Sequence, residues 1–227
     1  MINANFPLQE EDGSVPGSAD SLIFDMDGTL WDASDTYTAA WNEGFRSLNI
    51  NKHMHRSSLD EIMGWEKKPT LARLLPEFSE DEREEIHQTV VEAQTELIRT
   101  RGGILYPGVK EGLARLASAY RLFILSNCPA NAIKHFIEWS GIGAYITDEI
   151  AHGVNAKPKS HNIHLLMEKH KLKNPYYVGD TDGDRLQSDL AGVPFVFVTY
   201  GFGKTDKYAL KFNSFNDLAD YFMNAHK

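Results

Sequence analysis

Strand and helix patterns alternate along the chain from Leu105 onward, and this alternation restricts the fold more than any other feature. Apolar stretches typical of strands lie at residues 121–125, 144–147, 176–178 and 195–199. Helical spacing lies between and beside them, at residues 109–119, 130–139, 160–170 and 186–191. Parallel strands joined by helices form βαβ units, so the pattern predicts a parallel sheet with helices on both faces.

A further strand precedes this region and ends in two acids. The apolar residues 22–24 are followed by Asp25, Met26 and Asp27. Because strand side chains alternate in direction, both carboxylates are expected at the strand's carboxyl end, with Met26 packed away from them. Repulsion then favours one ionised carboxylate, a nucleophile or metal ligand, and one neutral proton donor unless a cation is present. The alternative is a solvated acidic turn.

Between these two regions the chain shows helical spacing only. Apolar residues within 37–48 mark one amphipathic helix, and capping boxes at Ser58 and Ser79 predict the starts of two more. The last helix is predicted to end at Gly102. We delimit this block as residues 35–104. It follows the carboxyl end of a strand, where open α/β sheets bind ligands, and is therefore predicted to be a lid.

Three later positions carry polar groups that suit phosphate chemistry. Ser126 and Asn127 follow a strand, where a hydroxyl and an amide can bind an oxyanion. Lys157 precedes a helix and can supply a fixed positive charge, although most lysines are solvated surface groups. Asp180 and Asp184 follow another strand and offer the hard oxygen ligands that Mg²⁺ prefers.

Composition excludes several classes of partner. The 227 residues carry a formal net charge of −9 and the pI is about 5.5, which argues against binding to nucleic acid or to an anionic membrane. No apolar run approaches the roughly 20 residues of a membrane span. The single cysteine, Cys128, fits a reducing compartment and favours a cytoplasmic location. Residues 1–20 form a polar lead-in whose composition favours disorder.

Four motifs in this order resemble those of the haloacid dehalogenase superfamily of phosphohydrolases. They are Asp25-Met26-Asp27-Gly28-Thr29-Leu30, Ser126, Lys157-Pro158, and Gly179-Asp180 with Asp184. The helical block and the segment 105–109 are similar to the subgroup of phosphoglycolate phosphatase and β-phosphoglucomutase. The resemblance implies an α/β fold: a Rossmann-like, doubly wound parallel sheet core (residues 21–34 and 105–227) with an inserted all-α cap (35–104).

The resemblance also implies roles for the acids. Asp25 would attack phosphorus and form an aspartyl-phosphate, while Asp27 would protonate the leaving alcohol and later activate water. Mg²⁺ would be held by the Asp25 carboxylate, the Asp27 backbone carbonyl and Asp180. Asp184 would be a further ligand or a water-mediated partner.

Phosphate binding is implied for the remaining motif residues. Ser126 and Lys157 would hold the transferring phosphoryl group, assisted by Asn127 and the backbone at Met26. In the cap, Lys67 is a candidate contact for a substrate carboxylate or second phosphate, with a solvated lysine as the alternative.

The implied activity is Mg²⁺-dependent hydrolysis of a small phosphorylated metabolite. Dehalogenases of the superfamily have no aspartate at the position of Asp27, so the second acid argues for a phosphatase. Three alternatives remain open: a phosphomutase of the β-phosphoglucomutase type, a phosphonatase using a cap lysine, and a noncatalytic phosphate-responsive binding module. The sequence sets neither the substrate nor the oligomeric state.

Overall fold

In a computed structural model, which describes residues 19–226, eight strands form two sheets. The strands are β1 (Ser21–Phe24), β2 (Trp31–Asp32), β3 (Ile104–Leu105), β4 (Arg121–Ser126), β5 (Asp148–Ala151), β6 (Pro175–Gly179), β7 (Phe195–Val198) and β8 (Leu210–Phe212). Six of them form one parallel sheet in the order β5-β4-β1-β6-β7-β8, and β2 pairs with β3 in an antiparallel ribbon.

Ten α-helices accompany the strands in the described residues. They are α1 (Ser34–Ser47), α2 (Arg56–Asp60), α3 (Lys67–Leu74), α4 (Glu80–Thr100), α5 (Val109–Leu116), α6 (Ala132–Ser140), α7 (His152–Asn155), α8 (Lys159–His170), α9 (Asp182–Ala191) and α10 (Phe215–Ala225). Within residues 19–226, none of them combines the length and apolar character that a membrane crossing requires.

The central strand β1 is apolar on both faces because helices cover both. Leu22 and Phe24 belong to one hydrophobic cluster and Ile23 to a second, and all three are fully buried. Phe24 is in register with Ile124 of β4 and Val178 of β6. The residues that follow these three strands therefore meet at one edge of the sheet. The predicted parallel α/β fold is confirmed.

The helical insert comprises α1–α4, between β2 and β3, with α1 packed against α4. The Ser79–Glu82 capping box at the start of α4 is confirmed, and the chain leaves that helix through Gly102 at a φ of +67°. The box predicted at Ser58 is wrong, because α2 already begins at Arg56 and no side chain caps it. Helix α3 was not predicted.

Two further differences concern the sheet. The strand predicted at residues 144–147 is wrong: Gly143–Tyr145 forms a 3₁₀ turn, and β5 follows it. Because β5 is a half-buried edge strand that begins with Asp148 and Glu149, it lacks the apolar run of a central strand. Strand β8 and helix α10 were also not predicted. Except for residues 19 and 20, the expectation for the lead-in lies outside the described residues.

Candidate active site

Three carboxylates meet at the carboxyl edge of the sheet. Asp25 follows β1, Asp180 follows β6, and Asp184 lies in the first turn of α9. One oxygen from each lies within 4.8 Å of the others, and all three residues are buried, with at most 1% of their surface exposed. The solvated-turn interpretation of the first acidic motif is therefore wrong.

The lysine at this cluster is Lys159, not Lys157. The Nζ of Lys159 lies 2.8 Å from Asp25 Oδ1 and 2.6 Å from Asp184 Oδ1, and its side chain is 3% exposed. Lys157 is exposed instead, because the chain at Pro158 is extended and α8 begins only at Lys159. The first turn of that helix carries Lys159 inward, so the sequence interpretation chose the wrong lysine of two.

Each of the other two carboxylates is fixed by its own loop. Asp184 Oδ2 accepts hydrogen bonds from the Thr181 backbone N–H at 3.1 Å and from the Thr181 hydroxyl at 2.7 Å, which forms a capping box. Asp180 Oδ2 accepts from the backbone N–H groups of Phe202 at 2.7 Å and Gly203 at 3.3 Å. These oxygens are therefore held in place before any ligand binds.

Negative charge at the cluster is only partly compensated. Burial raises the pKa of Asp25 well above its usual value, Lys159 opposes the rise, and Asp184 and Asp180 add to it. Burial, followed by repulsion from Asp184, raises the pKa of Asp180 to about 7. Burial alone would lower the pKa of Lys159, but Asp184 and Asp25 raise it, so the lysine stays charged.

The donor set fits a hard divalent cation. Asp25 Oδ2 is buried without a hydrogen-bond partner, and the polar neighbour of Oδ1 is Lys159 Nζ. Gly28, at a φ of +84°, passes so close to Asp180 that a Cβ there would collide with its carboxylate. Clustered carboxylate oxygens, one of them buried without a partner on Asp25, are the ligands that Mg²⁺ and similar ions prefer.

Asp27 is held differently from Asp25. Its Oδ1 accepts hydrogen bonds from the Tyr37 hydroxyl at 2.8 Å and from Trp31 Nε1 at 3.0 Å. Burial raises the pKa of Asp27 to about 6, against the lowering effect of these two hydrogen bonds. Burial, rather than repulsion between neighbouring carboxylates, is thus the largest cause of the shift. Both bonds end on Oδ1, which leaves Oδ2 as the oxygen for a ligand.

Sequence reasoning missed Trp31 and Tyr37 as site residues. Tyr37 was assigned to the apolar stripe of α1, where its ring packs edge-on against Trp31. An amphipathic pattern predicts which side of a helix is buried, but it does not predict which buried hydroxyl reaches an acid in another element. The spacing of Trp31 and Tyr37 in the sequence does not indicate that they belong to the site.

A cavity of about 440 Å³ lies between the helical insert and the sheet edge. The core side contributes Asp27, Ser126 and Asn127, and the insert contributes Lys67, among others. Asn127 Nδ2 donates to the Gly64 carbonyl at 2.8 Å, so this amide joins the core to the insert.

Two further predicted contacts are Lys67 for the substrate and the Met26 backbone for phosphate. The Nζ of Lys67 lies 2.9 Å from Glu84 Oε1, and both side chains are about half exposed. Met26 is fully buried, and its carbonyl accepts from the Leu30 N–H at 2.9 Å. Its side chain packs in the core, as the alternation of strand side chains predicts.

Comparison with known proteins places this site in a family. The family model for haloacid dehalogenase-like hydrolases matches residues 22–198. The chain is 30% identical over 196 residues to a phosphoglycolate phosphatase of Photobacterium profundum, covering 80% of this chain and 83% of that relative. It is 28% identical over 193 residues to the probable phosphatase IndB of Dickeya dadantii, covering 82% and 84% respectively.

Solved structures show the same fold. A predicted phosphoglycolate phosphatase from Haemophilus somnus superposes with a TM-score of 0.79 at 22% identity, covering 91% of this chain and 99% of that one. CbbY from Rhodobacter sphaeroides, solved with phosphate, gives a TM-score of 0.75 at 19% identity, with 88% and 96% covered. The chain belongs to the haloacid dehalogenase-like hydrolase family. Within it, the chain is a phosphatase, and the resemblance drawn from the motifs is confirmed.

Proposed function

We propose that the protein hydrolyses a phosphoric monoester of a small metabolite through an aspartyl-phosphate on Asp25, with Mg²⁺ as cofactor. The observation that carries the proposal is the buried Asp25 carboxylate: its Oδ1 is ion-paired with Lys159, and its Oδ2 has no hydrogen-bond partner. Such an oxygen is available to attack phosphorus. The proposal places the activity in the cytoplasm, on the strength of the single cysteine and the bacterial relatives.

Two steps divide the work between the acids. First, an Asp25 oxygen bonds to phosphorus while the bond from phosphorus to the ester oxygen breaks, and Asp27 gives its proton to the departing alcohol. Second, Asp27 takes a proton from water, the water oxygen bonds to phosphorus, and the bond to Asp25 breaks. A pKa of about 6 for Asp27 suits both directions of proton transfer near neutral pH.

Binding groups surround the reacting phosphorus. Lys159 takes the role that the motif comparison gave to Lys157, because its Nζ contacts Asp25. Ser126, at the end of β4, and the backbone at Met26 face the phosphoryl group, while Asn127 closes the insert's loop over it. We propose these phosphate contacts together with the domain boundaries. The core comprises residues 21–34 and 105–227, and the cap comprises residues 35–104.

The metal would be held by the carboxylates of Asp25 and Asp180 and by the Asp27 backbone carbonyl, with Asp184 as a ligand or a water-mediated partner. When bound, it would neutralise phosphate charge and polarise the phosphorus centre. Asp184 also shares Lys159 with Asp25, so it helps to orient the lysine whether or not it binds the ion.

The test uses the purified chain with p-nitrophenyl phosphate and with an alkyl phosphate. We expect Mg²⁺-dependent phosphate release, lost by about a thousandfold in Asp25→Asn because the nucleophile is removed. Asp27→Asn should lower kcat/KM, which reports the first step, by about 10²–10⁴-fold for the alkyl ester and much less for the nitrophenyl ester, because nitrophenolate leaves without a proton. It should lower kcat for both esters, because Asp27 also activates the water of the second step.

The control is Asp182→Asn, in the first turn of α9. Asp182 is half exposed and paired with Arg185, so its loss should leave turnover within about twofold of the parent. Steady turnover by the Asp25→Asn protein would contradict the proposal. Binding of phosphate mimics without turnover of any ester would favour a noncatalytic module instead.

A further inference from the structure

On the side of the insert, the cavity beside Asp27 has an apolar and aromatic wall together with polar side chains that include Thr70, Gln88 and Gln94. Trp41, Leu59, Ile62 and Val90 form part of this wall. Its volume of about 440 Å³ falls in the range of roughly 300–1,000 Å³ that is typical of pockets for ligands larger than a two-carbon acid. The wall therefore suits a substrate with an apolar body.

Trp65 adds an open aromatic surface to the cavity. It is 46% exposed, unlike Trp31 and Trp41, which are buried. It follows Gly64, whose carbonyl is tied to Asn127 of the core. A large aromatic side chain that stays exposed in a concave site is typical of a stacking surface for a flat ligand.

Positive charge in the cavity is already paired. Among the described residues that line it, Lys67 is the one lysine or arginine, and Glu84 holds it at 2.9 Å. His87 and His152 also line the cavity, and burial lowers the pKa of His87. A carboxylate or second phosphate on the substrate that approached Lys67 would also lie beside the negative charge of Glu84.

Resting on the proposed function, we infer that the substrate is a phosphomonoester whose alcohol part is uncharged and carries a flat apolar or aromatic ring, and that it is not a phosphorylated hydroxy acid or a bisphosphate. The ring packs between Trp65 and the apolar wall of the insert, and the phosphate faces Asp25. The Lys67–Glu84 pair acts as a specificity determinant by rejecting a second anionic group.

The first experiment compares benzyl phosphate with phosphoglycolate on the purified protein with Mg²⁺. We expect kcat/KM for benzyl phosphate to exceed that for phosphoglycolate by at least about tenfold. Ethyl phosphate, which has neither a ring nor a second charge, should fall between them. A preference for phosphoglycolate would overturn the inference.

The second experiment releases Lys67 from its partner. Glu84→Gln should raise kcat/KM for phosphoglycolate by about fivefold to tenfold and leave that for ethyl phosphate unchanged, because the lysine becomes free to bind the carboxylate. Glu80→Gln is the matched control: it breaks the exposed Lys68–Glu80 pair between the same two helices, outside the cavity, and should change neither value. Equal effects of the two substitutions would contradict the role given to Glu84.

The third experiment removes the ring surface. Trp65→Ala should raise KM for benzyl phosphate by about threefold to tenfold and leave KM for ethyl phosphate unchanged. A change of equal size for both esters would count against stacking. Turnover of p-nitrophenyl phosphate distinguishes failure of the proposed function from failure of the inferred substrate class. If the unsubstituted protein does not hydrolyse this ester, both are overturned. If it does, but prefers phosphoglycolate to benzyl phosphate, only the inferred substrate class is overturned.

Discussion

Lys159 is the residue on which the charge balance of the site depends. It is the cation that contacts Asp25 and Asp184, and all three side chains are buried. Removing one partner of a buried ion pair leaves the other charges uncompensated in a medium of low dielectric constant. The effect on stability and the effect on activity should therefore appear together at this position.

Substitution of the two neighbouring lysines tests this assignment. Lys159→Gln should lower kcat by at least about a hundredfold and the free energy of unfolding by about 3 kcal/mol, because two buried carboxylates lose their counter-charge. Lys157→Gln, at an exposed position, should leave kcat and the free energy of unfolding equal to those of the unsubstituted protein within experimental error. Activity assays and urea unfolding measure the two quantities. Loss of activity in Lys157→Gln with a normal Lys159→Gln would reverse the assignment.

Many residues of the site could be predicted because they directly follow strands. The others could not, because they reach the site through contacts between elements that are distant in the sequence. Asp25 and Asp180 were found because each directly follows an apolar strand, and parallel strands end at one edge. Lys157 was predicted because it opens the next helix and belongs to the motif Lys157-Pro158, yet the first turn of α8 carries Lys159 inward. Tyr37 was missed because its bond to Asp27 joins two different elements.

At the scale of elements, an ion cluster joins β5 to the end of α8. Asp148 begins β5, and its Oδ2 lies 2.6 Å from His170 Nε2 and 2.7 Å from Lys169 Nζ. Burial raises the pKa of Asp148, but the hydrogen bonds from His170 and Lys169 outweigh burial and leave the pKa below its usual value. Basic groups in the last turn of a helix also complement its dipole.

The lowered pKa predicts how this contact depends on pH. A carboxyl group with a depressed folded-state pKa stabilises the fold above its unfolded-state pKa, near 3.8, and the contribution is lost as the pH falls through the folded-state value. Asp148→Asn should therefore lower the free energy of unfolding by about 1 kcal/mol at pH 7, and the difference should close as the pH falls below 3.8 and through the folded-state pKa. Urea unfolding at several pH values measures this difference in the free energy of unfolding.

The control is Asp220→Asn, which breaks an exposed pair with Arg115. It should change the free energy of unfolding by less than about 0.5 kcal/mol at any pH. A constant difference between Asp148→Asn and the parent at pH 7 and pH 3 would exclude the ionic explanation.

The elements themselves were predicted best where burial is complete. Strands β1, β4, β6 and β7 are apolar along their length because helices cover both faces, so they stand out in the sequence. Strand β5 lies at the edge of the sheet and carries acids, and its position was misplaced for that reason. Helix α3 is short and weakly amphipathic, and its boundaries follow from packing against α4.

At the scale of the whole molecule, the carboxylate cluster that would bind the metal lowers the stability of the metal-free fold. Three buried acids share one lysine, so repulsion opposes folding until a cation binds. Without divalent ions, Asp180→Asn should raise the melting temperature by about 3 °C relative to the parent, because one buried charge is removed. With saturating Mg²⁺ the order should reverse, because the parent gains binding energy that the variant has lost.

Thermal unfolding with EDTA and with Mg²⁺ tests this reversal. Asp182→Asn serves as the control, because this half-exposed acid lies outside the cluster, and it should follow the parent in both buffers. A melting temperature of the parent that does not respond to Mg²⁺ would contradict the assignment of the cluster as a metal site.

The antiparallel ribbon of β2 and β3 gives the helical insert a narrow attachment. Trp31 pairs with Leu105 and Asp32 with Ile104, so the chain leaves and rejoins the core along strands about 4.8 Å apart. A different segment grafted there would have to cover the face of α6 on which α4 packs and supply a donor in place of Tyr37. The insert that determines selectivity and the core that carries the acids can thus change separately in evolution, because they are joined at the β2–β3 ribbon.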